Sequence, residues 1–290
     1  MHPDRTQPDR PARVPRPRPG TARRPAAPSG PVAALVDLLL PRTCGGCAGA
    51  GPPGSGGWCP ACAAETGPPY PLRVPGAGRV AVAGRYRGPL RRAVLAYKER
   101  GRRDLAPDLA AVLAPAVAAV LPAPAAGRTD PDAVWLVPAP SRPAAARLRG
   151  GDHVLRLCRR LEPRLAATGL AARTVPLLEL DRRTRDSVGL DGPARARNLA
   201  AGLRTSPAAP AGVGDRTATG PGRTRSAVPG GTVVLLVDDV VTSGATLRAC
   251  RVLLRRVGVP VTAAVLLADA TAPAAERSTA VPPAHPAARR

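Results

Sequence analysis

Gly231-Thr232-Val233-Val234-Leu235-Leu236-Val237-Asp238-Asp239-Val240-Val241-Thr242-Ser243-Gly244-Ala245-Thr246 decides how the rest of this 290-residue chain is read. The unbroken apolar run Val233–Val237 predicts a strand buried on both faces, ending in two carboxylates. A short loop of Thr, Ser and Gly follows and opens onto a helix. Ligands of open α/β sheets sit outside the carboxyl ends of the strands. A small hydroxylated loop there turns backbone N–H groups and a helix N-terminus toward an anion. Asp238 and Asp239 can accept hydrogen bonds from vicinal hydroxyls. An anion cradle beside a diol acceptor fits a ribose 5-phosphate.

Two plainer readings compete. An apolar strand ending in Asp-Asp also occurs in nucleotide triphosphatases, where the acid holds Mg²⁺. Those need a Gly-rich loop with Lys before Ser or Thr. Lys98, in Ala-Tyr-Lys-Glu, is the only lysine of the chain, and this excludes the P-loop. A purely structural strand–turn–helix stays open, although it would need neither adjacent acids nor Thr-Ser-Gly-Ala-Thr after them.

The length leaves room for one α/β domain, a small appendage and tails. Phe is absent, while Pro numbers 38 and Gly 30, so large parts of the chain are not packed core. The net charge of +23 favours polyanionic partners or phosphorylated substrates and says nothing about fold. Trp58, Trp135, Tyr70, Tyr86 and Tyr97 are too few for a base-stacking platform. No membrane span is expected, since the best apolar run, Val32–Leu40, is short and contains Asp37. Its short core and the lack of an Ala-x-Ala site argue against a secretion signal, and the chain reads as cytoplasmic.

The organisation follows from composition and period. Residues 1–30 read as a disordered basic tail. A helix over Val32–Leu40 and a cysteine-rich knuckle make a module over residues 31–70. A larger domain spans residues 79–268, with strands expected over Val80–Tyr86, Val134–Val137, Val175–Leu180, Val233–Val237 and Pro260–Leu267. Helices are expected over Pro89–Arg100, Asp104–Leu121, Gly151–Ala167 and Ala245–Val257. Arg182–Leu203 is charged and weakly periodic, residues 205–231 are a low-complexity insertion, and residues 269–290 are a disordered tail. Strands alternating with helices imply an α/β fold with a mostly parallel sheet flanked by helices.

Cys44-Gly-Gly-Cys47 and Cys59-Pro-Ala-Cys62 form a CxxC…CxxC array. Two such knuckles place four thiolates around a structural Zn²⁺ with no position left for substrate. Two disulfides or a redox pair are the alternatives, and disulfides fit a cytosolic chain poorly. Cys158 and Cys250 fall on or beside apolar helix faces and read as core. Val137-Pro138-Ala139-Pro140-Ser141-Arg142 leaves a second buried strand at its carboxyl end. Ser141 and Arg142 can serve phosphate oxygens there, and a plain strand-to-helix turn would look the same.

The strand–acid–loop stretch resembles the phosphoribosyl-pyrophosphate (PRPP) signature of type I phosphoribosyltransferases. With the cysteine array ahead of it, the chain resembles the competence-protein ComF family, phosphoribosyltransferase-like proteins with an N-terminal four-cysteine zinc knuckle. The resemblance covers roughly Leu35 to Ala268. It includes Tyr86-Arg87-Gly88-Pro89-Leu90-Arg91-Arg92, the stretch from Tyr97-Lys98 to Leu105, Val137-Pro138, and Val188-Gly189-Leu190 with Arg195 and Asn198 at Arg-x-x-Asn spacing. It departs at Arg149-Gly150-Gly151-Asp152-His153, where the family usually has Arg-Gly-Phe-Asn-Gln, and at Ser187, where it has Gln. His153 is expected to face solvent in a first helical turn, the other reading being an acid–base group.

The resemblance implies an enzyme binding PRPP with Mg²⁺ and displacing pyrophosphate by a nitrogen nucleophile. Asp238 and Asp239 would hold the ribose hydroxyls, and Thr242, Ser243, Gly244, Ala245 and Thr246 the 5′-phosphate. Ser141 and Arg142 would receive the pyrophosphate. An Arg of residues 182–197, Arg195 among them, would close over the site, although an ordinary solvated loop is equally expected. The rival reading is a protein that handles single-stranded DNA during uptake, with the same phosphate cradle and basic surface holding a nucleic-acid backbone. Fold alone does not choose between them.

Overall fold

The structure, a computed structural model, describes residues 43–49, 57–121, 131–181, 192–207, 209 and 228–271. The expected tail over residues 1–30, the helix Val32–Leu40, Ser187, the Val188-Gly189-Leu190 motif and most of the insertion lie outside these residues.

Among the described residues one sheet has six strands. They are β1 (Tyr70–Pro71), β2 (Val80–Arg85), β3 (Ala133–Pro138), β4 (Ala172–Thr174), β7 (Thr232–Val241) and β8 (Ala263–Asp269). Their spatial order is β1-β2-β8-β7-β3-β4, and every pairing is parallel except the short edge pair β1–β2. The helices are α1 (Pro60–Ala64), α2 (Gly88–Glu99), α3 (Ala106–Val120), α4 (Pro143–Leu148), α5 (His153–Ala166), α6 (Gly192–Gly202) and α7 (Ala245–Arg256). The expected mixed α/β architecture, with a mostly parallel sheet flanked by helices, is the architecture found.

Strand pleat sorts the core into two layers. Val233, Leu235 and Val237 of β7 join Val134 and Leu136 of β3 and Val265 and Leu267 of β8 on one face, under α2, α3 and α5. Val234 and Leu236 join Trp135, Val137, Ala264 and Leu266 on the other, under Leu247, Cys250 and Leu254 of α7. In α5, Val154, Leu157, Cys158, Leu161 and Leu165 recur at helical spacing and are all buried. Each large apolar side chain so buried contributes about 1.5–3 kcal/mol. Cys158 and Cys250 are both fully buried, in keeping with core positions.

Several elements differ from expectation; β7 itself runs on to Val241, so the two acids lie within the strand and do not end it. Val175–Leu180 is not one strand. Ala172–Thr174 forms β4 on the main sheet, and β5 (Leu178–Leu180) pairs with β6 (Leu203–Thr205) in a separate two-stranded sheet. Pro176 lies between β4 and β5, and β5 turns away to cover the α7 face of the core. The charged stretch before Leu203 contains α6, whose apolar periodicity is weak because part of its length is Arg and Gly. Finally, β8 runs through Asp269, one residue past the expected boundary at 268.

Candidate functional site

Strand order places the crevice. The chain leaves β3 for β4 on one side and leaves β7 for β8 on the other, so β3 and β7 flank the point where strand order reverses. Ligand crevices of open parallel sheets lie there, outside the carboxyl ends. Pairing of β3 with β7 ends at Pro138 opposite Val237. From Asp238 to Val241, β7 continues against β8, while the chain after β3 departs through Ala139, Pro140, Ser141 and Arg142. Both acids therefore stand where the sheet has opened.

Asp239 shares the parity of Val233, Leu235 and Val237 on β7 and so points toward the layer of α2 and α5. It is 4% exposed. Its Oδ2 accepts from the Lys98 ammonium at 2.7 Å and from His153 Nε2 at 2.8 Å, and its Oδ1 accepts from the Val240 N–H at 2.7 Å. Burial works to raise its pKa, but the His153 hydrogen bond and the Lys98 charge outweigh burial and hold the carboxyl below its usual range. Lys98 gains in turn. Burial opposes its charge, yet Asp239 more than compensates and its pKa is raised.

Asp238, of opposite parity, is half-buried, and its Oδ1 accepts from the Asp239 N–H at 2.8 Å. Burial, then the Asp239 carboxylate beside it, push its pKa up to about 8. The two adjacent acids thus have different surroundings: one is locked in an ion pair, the other is not.

His153 contradicts the solvent-facing expectation. It is 4% exposed, because it is the first residue of α5 on the side that meets β7. Besides Asp239 it contacts Ser141, whose Oγ lies 3.2 Å from Nδ1. The Tyr97 hydroxyl donates to its carbonyl at 2.6 Å. Asp152 caps α5 by accepting from the Val154 and Leu155 N–H groups, and its other oxygen accepts from the Ser141 N–H at 2.9 Å. The Ser141 loop is fastened to the start of α5 twice. The position of Asp152 as an Asp N-cap was the available signal for this helix start; a loop-to-helix histidine directly after it was the clue to the contact with β7.

The loop after β7 is small and open. Thr242 and Ser243 are exposed, Gly244 is buried with φ of 71°, and α7 begins at Ala245. A Cβ on Gly244 would collide with Val74 Cγ1, so both backbone conformation and space require glycine. Ala245 and Thr246 occupy the first turn of α7, where N–H groups lack helical partners. Arg248, which sequence reasoning did not single out, donates to the Ser243 carbonyl at 2.9 Å and braces the loop. The structure gathers Asp238, Asp239, residues 242–246, Ser141 and Arg142 at the carboxyl ends of β3 and β7. Arg195 is placed in α6. A separate hollow of about 620 Å³ lies against Val80, Ala81 and Val120, at the amino end of β2. Its position opposite the carboxyl ends makes it a poor candidate for the chemistry.

The cysteine array is assembled as expected. The thiol sulfurs of Cys44, Cys47, Cys59 and Cys62 lie within 4.8 Å of one another, with Cys47 and Cys59 3.9 Å apart. A tetrahedral Zn–S₄ centre with bonds of about 2.3 Å needs sulfurs about 3.8 Å apart. The N–H groups of Gly46 and Cys59 each point at Cys44 Sγ at 3.3 Å. Burial works against the Cys44 thiolate, but these N–H groups win and bring its pKa down to about 6, whereas burial pushes the Cys62 thiol up. The donor set fits zinc. The knuckle docks through Arg92, whose Nε donates to the Gly46 carbonyl, and Leu105 fills the space beside Gly45.

A family model described as "Phosphoribosyl transferase domain" matches residues 200–282, which spans β7, its loop, α7 and β8. The match covers a minority of the chain, and it falls on the stretch that carries the acids and the phosphate-type loop. A solved structure titled "Analysis of an invariant aspartic acid in HPRTs-glutamic acid mutant" is similar at 15% identity, over 59% of this chain and 69% of that one. Its TM-score of 0.28 carries no argument. No curated protein matches. The chain is thus mixed α/β, with a stretch over β7, α7 and β8 similar to a phosphoribosyl transferase domain and a four-cysteine cluster near its N-terminal side.

Proposed function

We propose that the protein binds PRPP with Mg²⁺ and transfers its phosphoribosyl group to a nitrogenous acceptor. The observation that carries this reading is the open stretch of β7, where Asp238 stands beside an anion cradle built from a left-handed Gly244 and the start of α7. The family match over the same residues supports it. The 5′-phosphate sits on residues 242–246, received by N–H groups and the hydroxyls of Thr242, Ser243 and Thr246. Asp238 accepts from the ribose hydroxyls as positive charge builds on the ring. Asp239 supports that site through Lys98 and His153 and meets the ribose on its remaining edge. Ser141 and Arg142 receive the pyrophosphate. Mg²⁺ bound with PRPP would supply charge neutralisation at the pyrophosphate beside Ser141 and Arg142. Arg195, expected among the phosphate-binding residues, belongs to α6.

Zinc on the four cysteines staples the N-terminal module and does no chemistry. Together with the resemblance noted above, the cysteine cluster supports counting the protein among ComF-type phosphoribosyltransferase-like proteins of the cytoplasm. The deciding experiment is calorimetry of the wild type and Asp238→Asn at about pH 9, above the raised pKa of about 8 so that the Asp238 carboxylate is charged, with PRPP–Mg²⁺ and separately with single-stranded DNA. Losing a charge-assisted hydrogen bond weakens PRPP binding about tenfold to a hundredfold. On a DNA-holding role the same change removes a repulsive charge, so DNA affinity holds or rises. Wild type that binds DNA and no PRPP sinks the transferase reading.

A further inference from the structure

The imidazole of His153 fixes what Ser141 can offer a ligand. Asp239 acts only as an acceptor: its oxygens take the Lys98 ammonium, the Val240 N–H and His153 Nε2. Nε2 must therefore carry a hydrogen. In a neutral ring Nδ1 is then bare and accepts, so the hydroxyl hydrogen of Ser141, 3.2 Å away, points at it. The Ser141 backbone N–H is already given to Asp152. In that state Ser141 presents only lone pairs, which repel an anion. With a proton on Nδ1 the bond reverses: the ring donates to Ser141 Oγ, and the hydroxyl hydrogen turns outward to a phosphate oxygen.

We propose that His153 is a positioning residue for the phosphate subsite at Ser141, and that a phosphate seated there draws one proton from solvent onto His153 Nδ1. This inference rests on the assignment of the Ser141 loop to the pyrophosphate of PRPP. No covalent bond changes; one solvent proton is taken up on binding and released on dissociation. The groups facing the ring and its partners are Asp239 from β7, Tyr97 and Lys98 from α2, Ser141 from the loop after β3, and Asp152 at the start of α5. Arg149 lies beside Lys98 and pairs with Glu99. A glutamine, the residue that the resemblance leads one to expect at this position, would hold Ser141 without a titrating proton. By linkage, affinity for the phosphate falls with rising pH, by up to about tenfold per unit, wherever the ligand-free ring is neutral.

The test is calorimetry of the full chain with inorganic pyrophosphate and Mg²⁺, and with PRPP and Mg²⁺, between pH 5.5 and 8.5. Buffers of different ionisation enthalpy report protons taken up. Wild type, His153→Gln and Ser141→Ala are compared, so proton changes of the ligand itself cancel. The chain has three histidines, His2, His153 and His285, so ring NMR follows His153 in the folded wild type. The expected result is an uptake approaching one proton in wild type, lost in both variants, with a His153 signal that moves to the imidazolium on binding. Equal proton uptake in all three proteins, or an unmoved His153 signal in wild type with ligand bound, overturns the inference and leaves PRPP binding standing. Wild type that binds neither ligand at any pH overturns the PRPP reading and the inference with it.

Discussion

Lys98 and Asp239, from different layers, meet at 2.7 Å, and the carboxylate is 5% exposed while the ammonium side chain keeps 31% of its surface. The pair ties the last turn of α2 to the open end of β7. Removing the cation alone leaves a buried charge held only by His153 and a backbone N–H. Lys98→Met is therefore expected to destabilise the fold by about 3 kcal/mol. Adding Asp239→Asn to that variant should restore much of the loss. Urea unfolding of the two single variants and the double variant measures the coupling, and additive effects would refute it.

Asp238 carries a pH signature of its own. A carboxyl whose folded pKa is raised to about 8 binds its proton more tightly folded than unfolded. Its contribution is present in acid and is lost as pH rises from about 4 through about 8. Asn mimics the neutral acid, so the Tm of Asp238→Asn relative to wild type should climb across that window and then level off. Scanning calorimetry at several pH values checks this, and a constant difference would count against it.

At Gly244 a substitution tests the cradle independently of charge. Gly244→Ala must hold a left-handed conformation, which costs about 1–2 kcal/mol, and must displace Val74. Ribose 5-phosphate affinity should fall about tenfold or more, while pyrophosphate affinity changes little. Equal losses for both ligands would mean that the loop does not serve the 5′-phosphate.

Zinc is expected at one equivalent per chain by elemental analysis. Cys47→Ser should lower that content and loosen the N-terminal module without abolishing PRPP binding. Because thiolates must form before metal binds, acidification should release the ion as protons return to the sulfurs. Wild-type protein purified without zinc would reject the assignment.

How far the sequence could be read depended on how local the determinant was. The strand Val233–Val237, its acids, Gly244 and α7 are written in one continuous stretch, and the two CxxC pairs carry their own spacing. His153 was misread because its burial is decided by β7, 86 residues further on. Lys98 stood out for being alone and for its place in the Tyr97-Lys98 stretch, but its partner Asp239 is still more remote in sequence than that of His153. The division of residues 172–180 into β4 and β5 depends on which layer needs cover, and no short-range pattern states that. Arg248 was one arginine among many, and its brace on the Ser243 carbonyl is visible only in three dimensions.

A chain that uses arginine for every other long cation contains one side-chain primary amine. Reagents that acylate or alkylate ε-amines therefore have a single internal address, and it borders the crevice between β3 and β7. Because acylation would break the pair with Asp239, the rate of labelling there would report how often that pair opens. A lysine-specific protease has one internal cut, after Lys98, which would separate all four cluster cysteines from both acids. Resistance to that cut becomes a direct gauge of how tightly the end of α2 is held against β7.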